Sequence, residues 1–427
     1  MKQSSPYIVI SPKSPPVAME SESDPPQRNK INRQWEGIPS SSSAPNHESD
    51  PSLMPDFPDE LAVDILSRLP VKSLGKFKCV SKPWLSLISS QGFIKTHLAI
   101  ASRRDDYEHH RLLIKVYDDP VLGSNVVYSV SSLVYSPTFE ASASMMLDIG
   151  YRGTPNKSFW AVGSCNGLVC FRTLHNKLFL YNPCLKMYKR LPNRDRDKLR
   201  SPGNFGFGYD ELNDDYKVVW VFQIFDKPSW DNLYDDGPVT YENGMKVYSL
   251  KDDAWHAIED LKIGGCFLDT GELMQYASGK LHWFVDGGTY VCKIASFDLA
   301  NETYEEMEPP CDIDGLCDYT LGELGGCLSM FYHYGSNHAE IWVMKDSWVK
   351  IVSIPYVDRP SNHRYSCSSR VVCALRNGEV LFVLCSLLLL YNPSTKTFRR
   401  YPHIAPIGGV IMYVESLVSL KSMVGND

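Results

Sequence analysis

A fifteen-residue pattern occurs twice in the chain, and the two copies start 210 residues apart. Residues 178–192 read LFLYNPCLKMYKRLP, and residues 388–402 read LLLYNPSTKTFRRYP. Each copy joins an apolar run, a Tyr-Asn-Pro turn and a second run of aromatic and basic residues, which is typical of a β-hairpin. The recurrence indicates that this part of the chain folds as repeated β units.

Three weaker copies lie between these two, at residues 245–261, 294–310 and 341–355. A period of 45–50 residues with several short strands per unit is typical of β-propeller blades, which bury both faces only when neighbours stack into a ring. The longest spacing contains a polar insert, residues 226–243. The aromatic markers of the five copies are Tyr181, Tyr248, Phe297, Trp342 and Tyr391, with spacings of 67, 49, 45 and 49.

The two ends of the repeat region predict one further blade. Residues 112–135 and 410–420 are β-like, and their pairing would close the circle. We therefore predict a kelch-like β-propeller of about six blades over residues 105–423. The aromatic residues of the insert, Trp230 and Tyr234, are candidates for target binding because long loops on rigid scaffolds often carry binding surfaces.

The segment 55–100 has a helical period instead. Proline residues at positions 70 and 83 divide it into three predicted short helices. A domain this small is near the lower limit for independent folding, so its apolar faces should be completed by other surfaces. The apolar positions are Leu61, Ile65, Leu66 and Leu69 in the first helix, Leu74, Phe77 and Val80 in the second, and Trp84, Leu87 and Ile88 in the third.

Composition and net charge limit the partners and the cellular location that we expect. Residues 1–54 are rich in Ser and Pro and have two aromatic residues, which predicts a disordered tail. The net charge of −7 gives no general attraction for nucleic acid or anionic lipid. The apolar run at residues 7–10 is too short for a signal peptide, and the run at 380–391 is too short to span a membrane. We therefore expect a cytoplasmic or nuclear protein, without a membrane or nucleic-acid partner.

Motifs for catalysis are weak. Gly206-x-Gly208 lacks the third glycine of a dinucleotide loop, and residues 163–167 have the wrong spacing for a nucleophile elbow. The eleven histidines contain no H-E-x-x-H pattern, and the twelve cysteines contain no C-x-x-C pair. We expect buried reduced thiols and neither a cofactor nor a metal. A propeller enzyme stays open as an alternative that would need clustered side chains in the central channel.

Two sets of motifs resemble a known family. The runs FPDEL at 57–61, ILSRLPVKSL at 65–74 and FKCVSKPW at 77–84 closely resemble an F-box. Phe57 and Ser81 depart from that pattern, which more often has Leu and Cys there. Residues 163–171, the Tyr-Asn-Pro unit, FGFGYD at 205–210 and DYKVV at 215–219 look like the F-box-associated, kelch-like region of plant F-box proteins.

That resemblance implies a substrate-recognition subunit of a Skp–cullin–F-box ubiquitin ligase, without catalytic residues. The F-box would bind the Skp-family adaptor, which links it to cullin and RING subunits, and the propeller would bind an unknown protein target. The alternative is a kelch-like interaction scaffold that does not support ubiquitination. The resemblance places adaptor contact on Phe57, Pro58, Leu61, Ile65, Leu66, Leu69, Pro70, Val71, Leu74, Val80 and Trp84.

Overall fold

The chain has a helical region followed by a β-propeller. Four positions of the sequence analysis, Phe57, Pro58, Trp230 and Tyr234, lie outside the described residues, as does the predicted tail. The computed structural model describes residues 59–103, 109–117, 126–132, 159–173, 176–193, 203–225, 241–259, 273–286, 292–311, 318–334, 338–355, 369–384, 387–400 and 407–420.

Four helices form the first region, one more than predicted. The amide of Ser90 donates to the carbonyl of Leu87, and its hydroxyl accepts from the amide of Phe93. One residue therefore ends the third helix and caps the fourth, so the chain turns without a proline or glycine to mark the break. The helices are α1 (Asp59–Leu66), α2 (Val71–Phe77), α3 (Lys82–Ser89) and α4 (Gln91–Ala101).

The described strands number twenty-three. They are β1 (His110–Tyr117), β2 (Val126–Ser132), β3 (Phe159–Cys165), β4 (Leu168–Thr173), β5 (Leu178–Asn182), β6 (Met187–Arg190), β7 (Asn204–Asp210), β8 (Asp215–Phe225), β9 (Tyr241–Ser249), β10 (Ala254–Ile258), β11 (Gln275–Ala277), β12 (Lys280–Asp286), β13 (Cys292–Asp298), β14 (Tyr304–Met307), β15 (Asp318–Leu324), β16 (Cys327–Tyr334), β17 (His338–Met344), β18 (Trp348–Pro355), β19 (Arg370–Ala374), β20 (Val380–Leu384), β21 (Leu387–Asn392), β22 (Thr397–Arg400) and β23 (Ile407–Val414).

These strands form six antiparallel sheets. Blades 1 to 5 each have four consecutive strands: β3–β6, β7–β10, β11–β14, β15–β18 and β19–β22. The closing blade has three, in the order β2-β1-β23, and so combines both ends of the repeat region. Its inner strand β23 contacts β3 on one side and β19 on the other. The prediction of about six blades with a composite closing blade is confirmed, as five four-stranded blades and one three-stranded sheet.

Apolar clusters between neighbouring blades hold the ring together. Leu112 and Ile114 of the closing blade, for example, pack with Leu381 and Val383 of blade 5. Comparable clusters join blades 2 and 3, blades 3 and 4, and blades 4 and 5. Each sheet therefore covers its neighbour's face, which is the physical reason why one blade is not stable alone.

The repeated Asn of the sequence pattern forms the turn of each hairpin. The Oδ1 atom of Asn182 accepts from the amides of Cys184 and Leu185, and Asn392 repeats these bonds in blade 5. Four residues later, Lys186 and Lys396 adopt φ values of 54° and 56°. The repeat is therefore a side-chain-capped turn followed by one left-handed residue.

An aromatic pair recurs beside this turn. Tyr181 pairs with Tyr188 across β5 and β6, and Tyr391 pairs with Phe398 across β21 and β22. Tyr188 and Phe398 are thus counterparts on the outer strands. The ring centroids of Tyr391 and Phe398 are 4.8 Å apart, and Tyr188 packs on Phe179 with centroids 6.3 Å apart.

Of the eight described thiols, four are buried, as predicted, three are partly buried, and Cys79 is exposed. It lies between α2 and α3, at the surface of the helical region. In the described part of the chain, no helix is long and apolar enough to cross a lipid bilayer.

Buried His282 on β12 gives the fold a pH dependence. Burial lowers its pKa from 6.5 to about 4, and Lys280 adds to this effect. The unfolded chain therefore binds the proton more tightly, so this stability is complete above pH 6.5 and is lost as the pH falls to 4. The loss should be about 3 kcal/mol. Urea unfolding of wild type and His282→Gln at pH 7, 6 and 5 checks this; equal slopes of stability against pH in both proteins would contradict it.

Candidate functional site

Within residues 59–103, the helical region carries four large aliphatic side chains that are exposed. Leu61 and Ile65 are each 51% exposed and lie one turn apart on α1. Val80, after α2, and Leu85, on α3, are also exposed. We call these four residues the apolar face. Water-exposed aliphatic groups of this size favour contact with a partner.

The predicted adaptor residues divide into two groups. Leu61, Ile65 and Val80 belong to the apolar face, and Pro70 is also exposed. Leu66, Val71 and Leu74 are buried in a hydrophobic cluster, and Leu69 and Trp84 are partly buried against it. Leu85 is not among the predicted residues; it lies three residues before buried Ile88 on the same helix, so the helical period alone does not distinguish the two, and the structure shows that Leu85 is exposed. The side chains of the second group form the hydrophobic core on which the exposed residues are positioned.

The buried side of the helices packs on the propeller. Their cluster includes Leu417, Val418 and Leu420 from residues 415–420, which follow β23 and which we call the C-terminal strap. Each of these three side chains is 3% exposed. The small domain therefore completes its core with a segment from the other end of the sequence, as its size predicted.

Asn182 holds the strap against blade 1. Its Nδ2 atom donates to the carbonyl oxygens of Ser416, at 3.1 Å, and Val418, at 2.8 Å. A Cβ at Gly167, whose φ is +81°, would collide with Ser416. The glycine that follows β3 is thus needed both for the turn and for the passage of the strap.

The motif FGFGYD is structural. A Cβ at Gly206 would lie 2.8 Å from the side chain of Leu281 in the next blade, and one at Gly208 would collide with Tyr276. These glycines let β7 approach blade 3, so close backbone packing of a strand accounts for the pair. A ligand is not required to explain them.

The same motif ends in a buried ion pair. Lys217 Nζ lies 3.0 Å from Asp210 Oδ2 and 3.0 Å from Glu302 Oε1 of blade 3. Burial alone would raise the pKa of Asp210 and of Glu302, but hydrogen bonds outweigh it and hold both pKa values below the ordinary range. His256 also contacts Glu302. Lys217 of the DYKVV run therefore links blade 2 to blade 3.

A cavity of about 630 Å³ lies at the centre of the ring. Residues of the inner strands line it, and Ser102, after α4, shows that it extends to the helical side. Burial raises the pKa of Cys165 in its wall, so this thiol stays protonated. Within the described ranges, no three side chains of the metal-binding types His, Cys, Asp and Glu come together.

The two ends of the propeller differ. The turn between β7 and β8 meets the helical region, because Lys95 of α4 and Asp214 are 2.7 Å apart. The other end of β8, at Phe225, and the start of β9, at Tyr241, carry the insert with Trp230 and Tyr234. That attachment lies at the end of blade 2 opposite the helices. Target binding by Trp230 and Tyr234 stays a prediction.

Sequence comparisons find two domains in the chain. Residues 54–96 match the F-box domain, and residues 123–405 match the F-box associated beta propeller domain. The chain is 31% identical to an F-box/kelch-repeat protein of Arabidopsis thaliana over 382 residues, covering 87% of this chain and 96% of that protein. It is also 31% identical to F-box protein CPR1 of Arabidopsis thaliana over 325 residues, covering 70% and 73% of the two chains.

Among solved structures, TolB from Acinetobacter baumannii has a TM-score of 0.43 and 8% sequence identity, covering 76% of this chain and 73% of that chain. That likeness is too weak to support an inference.

Proposed function

Because the chain belongs to the F-box proteins that carry an F-box-associated β-propeller, we propose that it is the substrate-recognition subunit of a Skp–cullin–F-box ubiquitin ligase. The two domains give it the general organisation of a substrate adaptor. The F-box helices bind a Skp-family adaptor, the adaptor connects to cullin and RING subunits, and the propeller holds a protein target. The chain contributes binding, and the transfer chemistry belongs to the other subunits.

The apolar face is the observation that carries this proposal. One side of the helices is already covered by the strap and the propeller, yet Leu61, Ile65 and Val80 remain exposed. Burying such side chains contributes about 1.5–3 kcal/mol each, against an association cost of about 4–15 kcal/mol. Several of them must act together, which fits a flat surface for one partner.

The free end of the propeller supports the proposed target site. An adaptor on the helices occupies the end of the ring near Asp214, so a target has room at the opposite end. The insert with Trp230 and Tyr234 is attached there. An aromatic pair of this kind suits a protein target, because Trp and Tyr dominate the binding energy of many interfaces.

Co-purification with the partners tests the proposal. The full chain is co-expressed with a Skp-family adaptor and with the amino-terminal part of a cullin, and the complex is separated by size exclusion. Co-elution of all three proteins is the expected result. A folded chain that elutes alone would overturn the proposal and favour the scaffold alternative.

A further inference from the structure

Glu415 joins three separate parts of the chain through its carboxylate and its backbone amide. Its Oε2 atom accepts from the amide of Val71 at 3.3 Å, and its Oε1 atom lies 2.8 Å from Arg111 of β1. The amide of Glu415 donates to the carbonyl of His109 at 2.8 Å. The first residue of the strap is thus bonded to an F-box helix, to the linker and to the closing blade.

The hydrogen bond between Val71 and Glu415 depends on the relative orientation of the helices and the propeller, and apolar packing depends on it much less. Hydrophobic burial is proportional to area and is nearly insensitive to orientation, so the cluster around Leu417 attaches the two domains but defines their relative angle less sharply than a hydrogen bond does. A charge-assisted hydrogen bond requires a defined distance and angle. Val71 starts α2 after Pro70, whose side chain gives no cap. The bond from Val71 to Glu415 therefore fixes where this helix begins on the propeller.

A second charged contact between the domains, within the part of the chain that the structure describes, is weak by comparison. Lys95 and Asp214 are 2.7 Å apart, but their side chains are 59% and 52% exposed. Solvent screens such a pair, and its contribution is typically below about 1 kcal/mol. The side chain of Glu415 is 13% exposed, and that of Arg111 is 19% exposed. Of these two charged contacts, the more shielded one at Glu415 therefore contributes more to orientation.

We propose that Glu415 is a positioning residue that fixes the angle between the F-box helices and the propeller. The functional part of this inference rests on the proposed ligase role: a fixed angle gives one separation between the adaptor on the helices and a target on the far end of the ring. Without it, the two domains stay attached through the strap but rotate against each other.

The chain offers a matched control in Glu379. This carboxylate is buried, more fully than that of Glu415, and accepts from Arg399, Asn377 and Asn392, all within blade 5. Its replacement disturbs a buried network of similar chemistry without touching the helices. Comparison of Glu415→Ala and Glu415→Gln with Glu379→Ala and Glu379→Gln therefore separates positioning from stability.

The first readout is amide exchange at Val71, followed by mass spectrometry with fragmentation. Loss of the acceptor in Glu415→Ala should speed exchange of this amide by about tenfold or more, since hydrogen bonds to charged groups are among the stronger ones. Glu379→Ala should leave it unchanged. Unchanged exchange in both Glu415 variants would overturn the proposal.

The second readout is the distance between the domains in the free chain. Fluorophores on non-canonical residues at Lys76, on α2, and Asp346, after β17, report it by single-molecule energy transfer. Wild type and both Glu379 variants should give one narrow distribution, and Glu415→Ala a broader, shifted one. Glu415→Gln keeps an oxygen acceptor but loses the charge, and it covers the case in which Glu415→Ala does not fold.

A narrow, unshifted distribution in every folded Glu415 variant would overturn the proposal. Because this measurement needs no adaptor, it is independent of the ligase role. A wild-type chain that fails to bind the adaptor but shows the expected distances would remove the proposed function and leave the positioning role standing.

Discussion

Replacement of Leu61 and Ile65 by aspartate in one variant abolishes co-purification with the Skp-family adaptor. Both side chains are half exposed and lie on one face of α1, so the substitutions leave the packing beneath them intact. Each lost aliphatic contact costs about 1.5–3 kcal/mol, and each aspartate adds a desolvation penalty. The affinity should fall at least about 100-fold. Co-elution and a titration by isothermal calorimetry measure the loss.

A matched variant on the propeller provides the control. Val349 and Ile351 are exposed aliphatic residues on β18, at 41% and 47%. Their joint replacement by aspartate changes charge and hydrophobicity equally but should leave adaptor affinity unchanged. Circular dichroism confirms that both variants fold. If Leu61→Asp/Ile65→Asp is folded and still binds as tightly as wild type, the apolar face is not the adaptor surface.

Asn182→Ala should destabilise the protein by about 4 kcal/mol. The side chain is fully buried and makes four hydrogen bonds, two to the turn after β5 and two to the strap. Alanine leaves two amides and two carbonyls without these partners, and each buried unsatisfied group costs about 1–3 kcal/mol before relaxation. Because the strap also covers the helices, the F-box should become less stable as well.

Asn392→Ala is the control for this prediction. Asn392 makes the same two turn bonds in blade 5, but its Nδ2 atom donates to Glu379 instead of to the strap. Its loss should cost about 1–2 kcal/mol. Urea unfolding followed by tryptophan fluorescence gives both values. Equal destabilisation by the two variants would show that the strap bonds contribute little.

The propeller could be predicted from the sequence because the residues that form the hairpin turns recur at a regular spacing. The side chains of Asn182 and Asn392 accept hydrogen bonds from the amides of the turn, so each hairpin needs this residue type at the same position. The closing blade was predicted on a different ground, because residues 112–135 and 410–420 are β-like and lie at the two ends of the repeat region. The fourth helix was missed because Ser90 ends one helix and caps the next without a proline or glycine.

The sequence predicted the candidate site only in part. Leu61 and Leu66 look alike in a helical pattern, and only the packed structure shows that the first is exposed and the second buried. The partner of the buried side comes from far away, since Val71 and Glu415 are 344 residues apart. Hydrophobic periodicity is a local signal and does not encode such a contact. Target binding by Trp230 and Tyr234 stays a prediction.

Because the strap completes the core of the F-box, folding of the F-box depends on the order in which the chain is translated. The ribosome makes α1 to α4 before any blade, but the segment that covers Leu66 and Leu74 emerges after five blades have been synthesised. Until then, the nascent helices expose apolar surface on both sides, which favours binding by chaperones over specific binding of a partner. A product terminated before residue 407 lacks β23 as well as the strap, so neither the ring nor the F-box core is complete. Under the proposed function, only chains translated through to the strap would have a complete F-box core with which to enter a ligase.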